Sequence, residues 1–236
     1  MNINIYPSAT ETACALIQYI NKLLSEDVGK VYNIAFSGGL TPSIMYDLWA
    51  NEFVETTPWK RIHFWWVDER CVRPENSDSN YGQMRNLLLN VAPIPQENIF
   101  RIKGEDDPRQ EVARYTKMVK KFVPCHQNMP RFDLVLLGIG EDGHTSSIFP
   151  GHEHLLSTSN IYEETYNLHT GQKRIALTGQ PIINSGRVVF LVTGKSKAAI
   201  VKEIFSSGDA YPASYIAHRA RHTDFFLDEY AASQIE

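Results

Sequence analysis

The 236-residue sequence has only three cysteines, Cys14, Cys71 and Cys125, and none forms the C-x-x-C spacing of a zinc or redox motif. An odd, scattered set of this kind excludes a disulfide framework and predicts a reducing compartment. No apolar run approaches the length of a membrane span, and residues 1–20 lack the basic start and long apolar stretch of a secretory signal. A cytoplasmic protein without a membrane partner is expected. An excess of positive charge is missing too. The net charge of −4 argues against nucleic acid as the main partner, because a duplex binder needs a basic face to displace counterions. Nothing in the chain identifies a protein partner.

What is present is ordinary for a globular chain. Hydrophobic residues make up 43% and charged residues 21%, which leaves disordered and fibrous readings without support. A chain of this length can bury a sizeable core, and one domain spanning residues 1–236 is expected. Short apolar runs alternate with longer amphipathic ones. That order predicts an α/β fold, a single domain with a mostly parallel, Rossmann-like sheet flanked by helices on both faces.

Strands are expected over Ile3 to Tyr6, Val31 to Phe36, Ile62 to Val67, Asp133 to Leu137, Arg187 to Thr193 and Thr223 to Leu227. Ser8 with Glu11 reads as a capping box for a helix reaching about Glu26. Thr41 is expected to cap, and Pro42 to open, a helix after Ser37-Gly38-Gly39. Further helices are expected over Tyr81 to Asn90, from an Asp107-Pro108 opening to about Phe122, and from about Ser196 to Phe205. Asp68 to Asn80 reads as a polar loop, and Gly151 to Gln172 as an irregular stretch.

The unusual polar residues follow strands: Ser37-Gly38-Gly39, Asp68-Glu69-Arg70, Glu141-Asp142-Gly143-His144 and Gly194-Lys195-Ser196-Lys197. In an open parallel sheet the carboxyl ends of the strands form the ligand crevice, so four segments point to one place. The first could be a plain tight turn or a phosphate cradle of backbone N–H groups at a helix N-terminus. With Arg174 and Lys197 as counter-charges, the cradle of Ser37, Gly38, Gly39 and Thr41 becomes the better reading. His144 could act as a general base near neutral pH, although position alone fits a structural histidine equally well.

Three other chemistries are considered and set aside. Gly138 to Gly143 spells G-x-G-x-x-G, but Pro150-Gly151 cuts short the helix that a dinucleotide site needs, so no nicotinamide cofactor is expected. Gly194-Lys195-Ser196 ends like a P-loop, yet Phe190 stands where its first glycine belongs. His144, His152 and His154 have no carboxylate or cysteine at a recognised ligand spacing, so no metal is expected. There is also no G-x-S-x-G elbow for a nucleophilic serine.

Taken together, Ser37 to Pro42, Val67 to Arg70 with Ser79-Asn80, Gly138 to Gly151, Arg174, Gly194 with Lys197, and Tyr211 to Ser214 resemble the 6-phosphogluconolactonase family. That family shares a fold with glucosamine-6-phosphate deaminases and ribose-5-phosphate isomerases. Asp68-Glu69-Arg70 and the run Asp142 to Pro150 resemble the lactonase branch, where deaminases usually carry Asp-Glu-Tyr and a different histidine run. Leu40 and Ser146 depart from the commonest lactonase spelling.

The resemblance implies hydrolysis of 6-phospho-D-glucono-1,5-lactone to 6-phosphogluconate in the oxidative pentose phosphate pathway, with no cofactor. His144 would be the general base, Asp142 would organise the site, and Arg70 or backbone N–H groups would stabilise the oxyanion. Arg174, Lys197 and the Ser37 to Thr41 loop would hold the phosphate. The competing functions are an amino-sugar-phosphate deaminase or isomerase, with Asp68 as base, and a non-catalytic sugar-phosphate sensor.

Overall fold

The computed structural model describes residues 1–206 and 208–235. Its strands, in chain order, are β1 (Asn2–Tyr6), β2 (Tyr32–Phe36), β3 (Ile62–Trp66), β4 (Asp68–Arg70), β5 (Ile99–Phe100), β6 (Cys125–His126), β7 (Met129–Pro130), β8 (Leu134–Leu137), β9 (Tyr162–Tyr166), β10 (Lys173–Leu177), β11 (Val188–Val192) and β12 (Thr223–Asp228). The α-helices are α1 (Ala9–Ser25), α2 (Leu40–Glu52), α3 (Asn80–Met84), α4 (Pro108–Phe122), α5 (His154–Ser157), α6 (Gly179–Asn184), α7 (Ala198–Ser206), α8 (Pro212–Arg219) and α9 (Glu229–Ala232).

Seven strands form one sheet in the order β1-β12-β11-β8-β2-β3-β5, and every pairing in it is parallel. Its central strands are apolar on both faces: β2 reads Tyr-Asn-Ile-Ala-Phe and β11 Val-Val-Phe-Leu-Val, each buried throughout. That is the composition of a sheet covered by helices on both sides. α1 covers part of it with a stripe including Ala13, Leu16, Ile17, Ile20, Leu23 and Leu24, and Ser8 caps the helix by accepting a hydrogen bond from the Glu11 N–H. Asp107 caps α4 in the same way ahead of Pro108. From β2 the chain runs outward through β3 and β5, and from β8 it runs the other way through β11 and β12. The strand order therefore reverses between β2 and β8, where an open α/β sheet forms its crevice.

Four expectations need correction. The helix after Gly39 starts two residues early, with Gly39 as its N-cap at φ +106° and no side-chain cap; the Thr41 hydroxyl lies 3.1 Å from that of Thr193 instead. Asp68 to Arg70 is not loop but β4, the edge of a three-stranded antiparallel sheet in the order β4-β10-β9. Gly151 to Gln172 is likewise not irregular throughout, since it contains α5 and β9. The helix expected over Tyr81 to Asn90 is α3 running into a π-turn at Arg85–Leu89.

The small sheet is fastened to the large one. Val67 N–H donates to Phe36 O at 2.9 Å and Leu177 N–H to Val67 O at 2.7 Å, while the Tyr162 hydroxyl donates to Trp66 O at 2.7 Å. Tyr162 also packs edge-on against Tyr115, and both are fully buried. Each aromatic side chain buried this way contributes about 2–3 kcal/mol through burial alone. The polar faces of β4 and β10 are thus held rigidly beside the crevice.

Candidate active site

The loops after β2, β8 and β11, together with β4 and β10, enclose a cavity of about 490 Å³. Ser37, Gly38, Gly39, Thr41, Asp68, Arg70, His144, Arg174 and Lys197 all line it, so residues up to 160 positions apart in the chain converge as expected. Asp142 alone of the expected site residues is not in the lining. It stands behind His144, with Oδ1 2.5 Å from Nδ1 of the ring and 3.2 Å from the His144 backbone N–H.

This contact defines the chemistry of the pair. Burial pushes the Asp142 carboxyl up, but the hydrogen bond and charge of His144 outweigh it and hold the group at about 2. An ionised Asp142 accepts from Nδ1–H and leaves the Nε2 lone pair as the basic site of a neutral ring. The ring also packs against Phe149 at 4.4 Å between centroids.

The glycine fingerprint of the segment serves this pair. A Cβ on Gly140 would lie 2.1 Å from His144 Nδ1 and 2.4 Å from Asp142 Oδ1, so only glycine lets the two side chains meet over that backbone. Gly143, at φ +78°, packs under the Tyr211 ring, where a Cβ would come within 2.4 Å. No helix follows the fingerprint directly: Gly140 N–H returns to His144 O and Thr145 bridges to Ile148.

β4 places its side chains by the two-residue period of a strand. Asp68 and Arg70 face the cavity, whereas Glu69 turns away and gathers the N–H groups of Arg70, Asn80 and Tyr81 and the Ser79 hydroxyl, fixing the start of α3. Burial pushes the Glu69 carboxyl up to about 7 against the pull of those backbone donors.

Asp68 is buried and heavily engaged. Oδ2 accepts the Ser147 hydroxyl and lies 3.8 Å from Arg174 Nη1, while Asn80 Nδ2 reaches Oδ1 at 3.3 Å. Arg174 also donates to Ser147 Oγ and Gln172 Oε1, both at 3.2 Å. Burial lowers its pKa. Arg70 lies directly across the β4–β10 ladder from Arg174, and the Nε of each is buried with no hydrogen-bond partner. Both guanidiniums line the cavity, and two opposed cations there suit an anionic or carbonyl oxygen.

The N-terminus of α2 also faces the cavity without a side-chain cap; the Gly39 N–H reaches Gln83 Oε1 at 3.3 Å and Pro42 has none, which leaves the Leu40 and Thr41 N–H groups for an anion. Ser37 contributes its backbone, because its hydroxyl is already donated to Leu136 O at 2.8 Å and its carbonyl accepts from Tyr46. Lys197, on a 3₁₀ turn, lines the cavity too. His152 pairs with Thr165 at 3.0 Å, and among the described residues no group of three or more His, Cys, Asp or Glu is arranged to hold a metal.

Reasoning from sequence named Ser79-Asn80 and the run holding Ser147 only as part of a resemblance, and gave Asn80 and Ser147 no role in the site. Asn80 is 1% exposed and lines the cavity. Ser146 and Ser147 hold φ of +54° and +57°, a left-handed pair that aims Ser147 at Asp68. Recognising Asp68-Glu69-Arg70 as a strand was the available signal for Asn80, since Glu69 then has to look for partners on the far side.

Three comparisons bear on the chain as a whole. The family model for glucosamine-6-phosphate isomerases/6-phosphogluconolactonase matches residues 7–225. The 6-phosphogluconolactonase of Haemophilus influenzae is 35% identical over 235 residues, covering 98% of both chains. Among solved structures, the devB protein superposes with a TM-score of 0.94 at 34% identity, over 100% of this chain and 99% of that one. A 6-phosphogluconolactonase from Trypanosoma cruzi reaches a TM-score of 0.87 at 25% identity, over 99% and 96%.

Proposed function

The chain belongs to the glucosamine-6-phosphate isomerase/6-phosphogluconolactonase family, and we propose that it is a 6-phosphogluconolactonase, hydrolysing 6-phospho-D-glucono-1,5-lactone to 6-phosphogluconate in the pentose phosphate pathway. Residues 1–236 act as one catalytic domain, working in the cytoplasm on a small sugar-phosphate ester. No helix among the described residues is long and apolar enough to cross a membrane. The observation that carries the reading is the Asp142–His144 pair, 2.5 Å apart, at one cavity with an uncapped helix N-terminus and three cations.

In the reaction, His144 Nε2 takes a proton from water as the water oxygen bonds to the lactone carbonyl carbon. Asp142 holds the ring in the required tautomer and stabilises the imidazolium that forms. The oxyanion is met by the guanidinium of Arg70, which lines the cavity. As the bond to the ring oxygen breaks, the imidazolium returns its proton to that oxygen, and His144 is regenerated. None of these steps calls on a metal. The α2 N-terminus, Lys197 and Arg174 hold the phosphate, so that remote binding orients the carbonyl near the water.

A deaminase reading requires Asp68 as a free base. Its carboxylate instead holds Ser147 and Arg174, while Asn80 anchors its other oxygen, a role that suits positioning better than proton abstraction. The test mixes purified protein with freshly generated 6-phosphogluconolactone and compares acid release with spontaneous hydrolysis, alongside ammonia release from glucosamine 6-phosphate. Acceleration of the first and none of the second is expected. Ammonia release without lactone hydrolysis would replace this reading with the deaminase one, and binding without turnover would make the protein a sensor.

A further inference from the structure

The chain reverses sharply just after His144. Ser146 and Ser147 hold φ of +54° and +57°, the sign that both central residues of a two-residue type I′ hairpin turn take, and the Ile148 N–H donates to Thr145 O at 2.8 Å. Two consecutive serines in left-handed backbone cost free energy, so the surrounding contacts must hold the turn in place. The turn makes His144 and Phe149 cross-strand neighbours, flanking the bridge between Thr145 and Ile148. Their ring centroids are 4.4 Å apart and their planes meet at 41°, nearer to stacked than to edge-on.

Phe149 is a fixed support for the imidazole. It is 2% exposed, the His152 ring meets it at 82° with centroids 6.3 Å apart, and its carbonyl accepts the His152 N–H at 2.9 Å. It does not line the cavity, so it acts on the reaction only through its neighbours. Asp142 grips the same imidazole at Nδ1, and the phenyl ring packs against its plane. The guanidinium of Arg174 also lies over the phenyl ring, 5.6 Å from its centroid.

The face of a phenyl ring is electron-rich and attracts a cation within about 6 Å. Arg174 and His144 both meet that condition, but they carry charge at different times. Arg174 is a cation in the free enzyme, in the substrate complex and in the transition state alike, so its attraction to the ring does not change along the reaction. His144 becomes a cation only as it takes the proton from water. Its attraction to Phe149 therefore grows as the barrier is climbed, and an interaction of that kind appears in kcat. The contact with His144 is also the shorter of the two.

Resting on the lactonase reading and its base, we infer that Phe149 is a positioning residue that acts through His144. It holds the imidazole against Asp142, and its π face stabilises the imidazolium that forms during water attack.

The experiment introduces 4-fluoro-, 3,5-difluoro- and pentafluorophenylalanine at position 149 alone. Fluorine withdraws electron density from the face of the ring while nearly keeping its shape, so the series weakens the attraction to a cation stepwise. With 6-phosphogluconolactone as substrate, and each rate corrected for spontaneous hydrolysis, kcat is expected to fall along the series to about 3- to 30-fold below the wild type, with KM little changed. Phe149→Leu should lower kcat in the same way, and should cost nothing further on a His144→Gln background, because the ring acts through that histidine. A melting curve on each protein checks the fold. A flat kcat along the series, with Phe149→Leu moving only the melting temperature, would overturn the inference and leave Phe149 as core. A change confined to KM would overturn it in favour of a role in holding Arg174, and an undiminished second loss from Phe149→Leu on the His144→Gln background would overturn it as well. Failure of the wild type to accelerate the parent lactone at all would instead sink the lactonase reading on which the inference rests.

Discussion

The two ends of the central sheet each carry a cavity, and the one at the amino ends of the strands is the larger, about 610 Å³ against 490 Å³. Both are lined by charge. At the amino end four of the six lining charges answer one another: Lys30 meets Asp133 at 2.5 Å, Asp133 also accepts from Asn33 N–H at 2.8 Å, and Arg187 meets Glu26 at 2.9 Å. At the carboxyl end Arg70 Nε, Arg174 Nε and Asn80 Oδ1 are buried without partners, the N-terminus of α2 is uncapped, and two consecutive serines take left-handed backbone. Size and charge do not separate the two cavities. Polar groups left idle by the fold do, because folding alone gives no return for burying them.

The strongest way to break this contrast is to remove the base. His144→Gln is expected to lower kcat by about 10²- to 10⁴-fold, the usual share of a positioned acid–base group, with KM little changed. Near wild-type turnover in a folded variant would transfer the role to another group, Asp68 first. A subtler break keeps both members of the pair and separates them. Gly140→Ala places a methyl 2.1 Å from His144 Nδ1 and is expected to cost about 10²-fold in kcat through misplacement alone. Unchanged kcat with an intact fold would show that the contact with Asp142 does not matter.

These two residues also mark how far the sequence was legible. The buried parallel strands were plain because β2, β8 and β11 are apolar on both faces, and the capped helices α1 and α4 were plain because Ser8 and Asp107 stand at their starts. β4 was not, since Asp-Glu-Arg has no apolar period; it is a strand because Asp68 pairs with Arg174 and Glu69 with the start of α3, partners distant or downstream in the chain. β9 was missed for a related reason, because Tyr-Glu-Glu-Thr-Tyr buries only its first and fourth residues fully. In the site, loops after strands disclosed where His144, Ser37 and Lys197 would meet. The position of Asp142 behind the ring and the direction of Asn80 depend on contacts that no local pattern encodes.

The phosphate wall offers a third test. Lys197→Ala is expected to lower kcat/KM on the phosphorylated lactone by about 10- to 100-fold and to leave the slow hydrolysis of gluconolactone nearly unchanged, since only the former presents the anion. Arg174→Ala sharpens the point. Arg174 also neutralises the buried Asp68, so its loss should lower thermal stability in addition to phosphate-dependent activity, whereas Lys197→Ala should not. Equal losses by Lys197→Ala on both lactones would remove Lys197 from the phosphate site.

The smallest effect is expected at the opposite end of the sheet, where the comparison predicts activity will not respond. Lys30 is 43% exposed on its side chain, so its pair with Asp133 is screened by water and contributes at most about 1 kcal/mol despite the short contact. Lys30→Met removes the charge while keeping the apolar stem, and Asp133 retains the Asn33 N–H, so no group there is left both buried and unpartnered. For a chain of this size that corresponds to a fall in Tm of no more than about 2–4 °C. Lactone hydrolysis should match the wild type in kcat and KM, because the residue sits at the amino ends of the strands and touches nothing in the reacting cavity. The measurements are a melting curve and a lactonase assay on the same preparation. A change in KM or kcat beyond error, with the melting curve unmoved, would mean that the larger cavity communicates with the smaller one and that paired charges are no sign of an idle pocket.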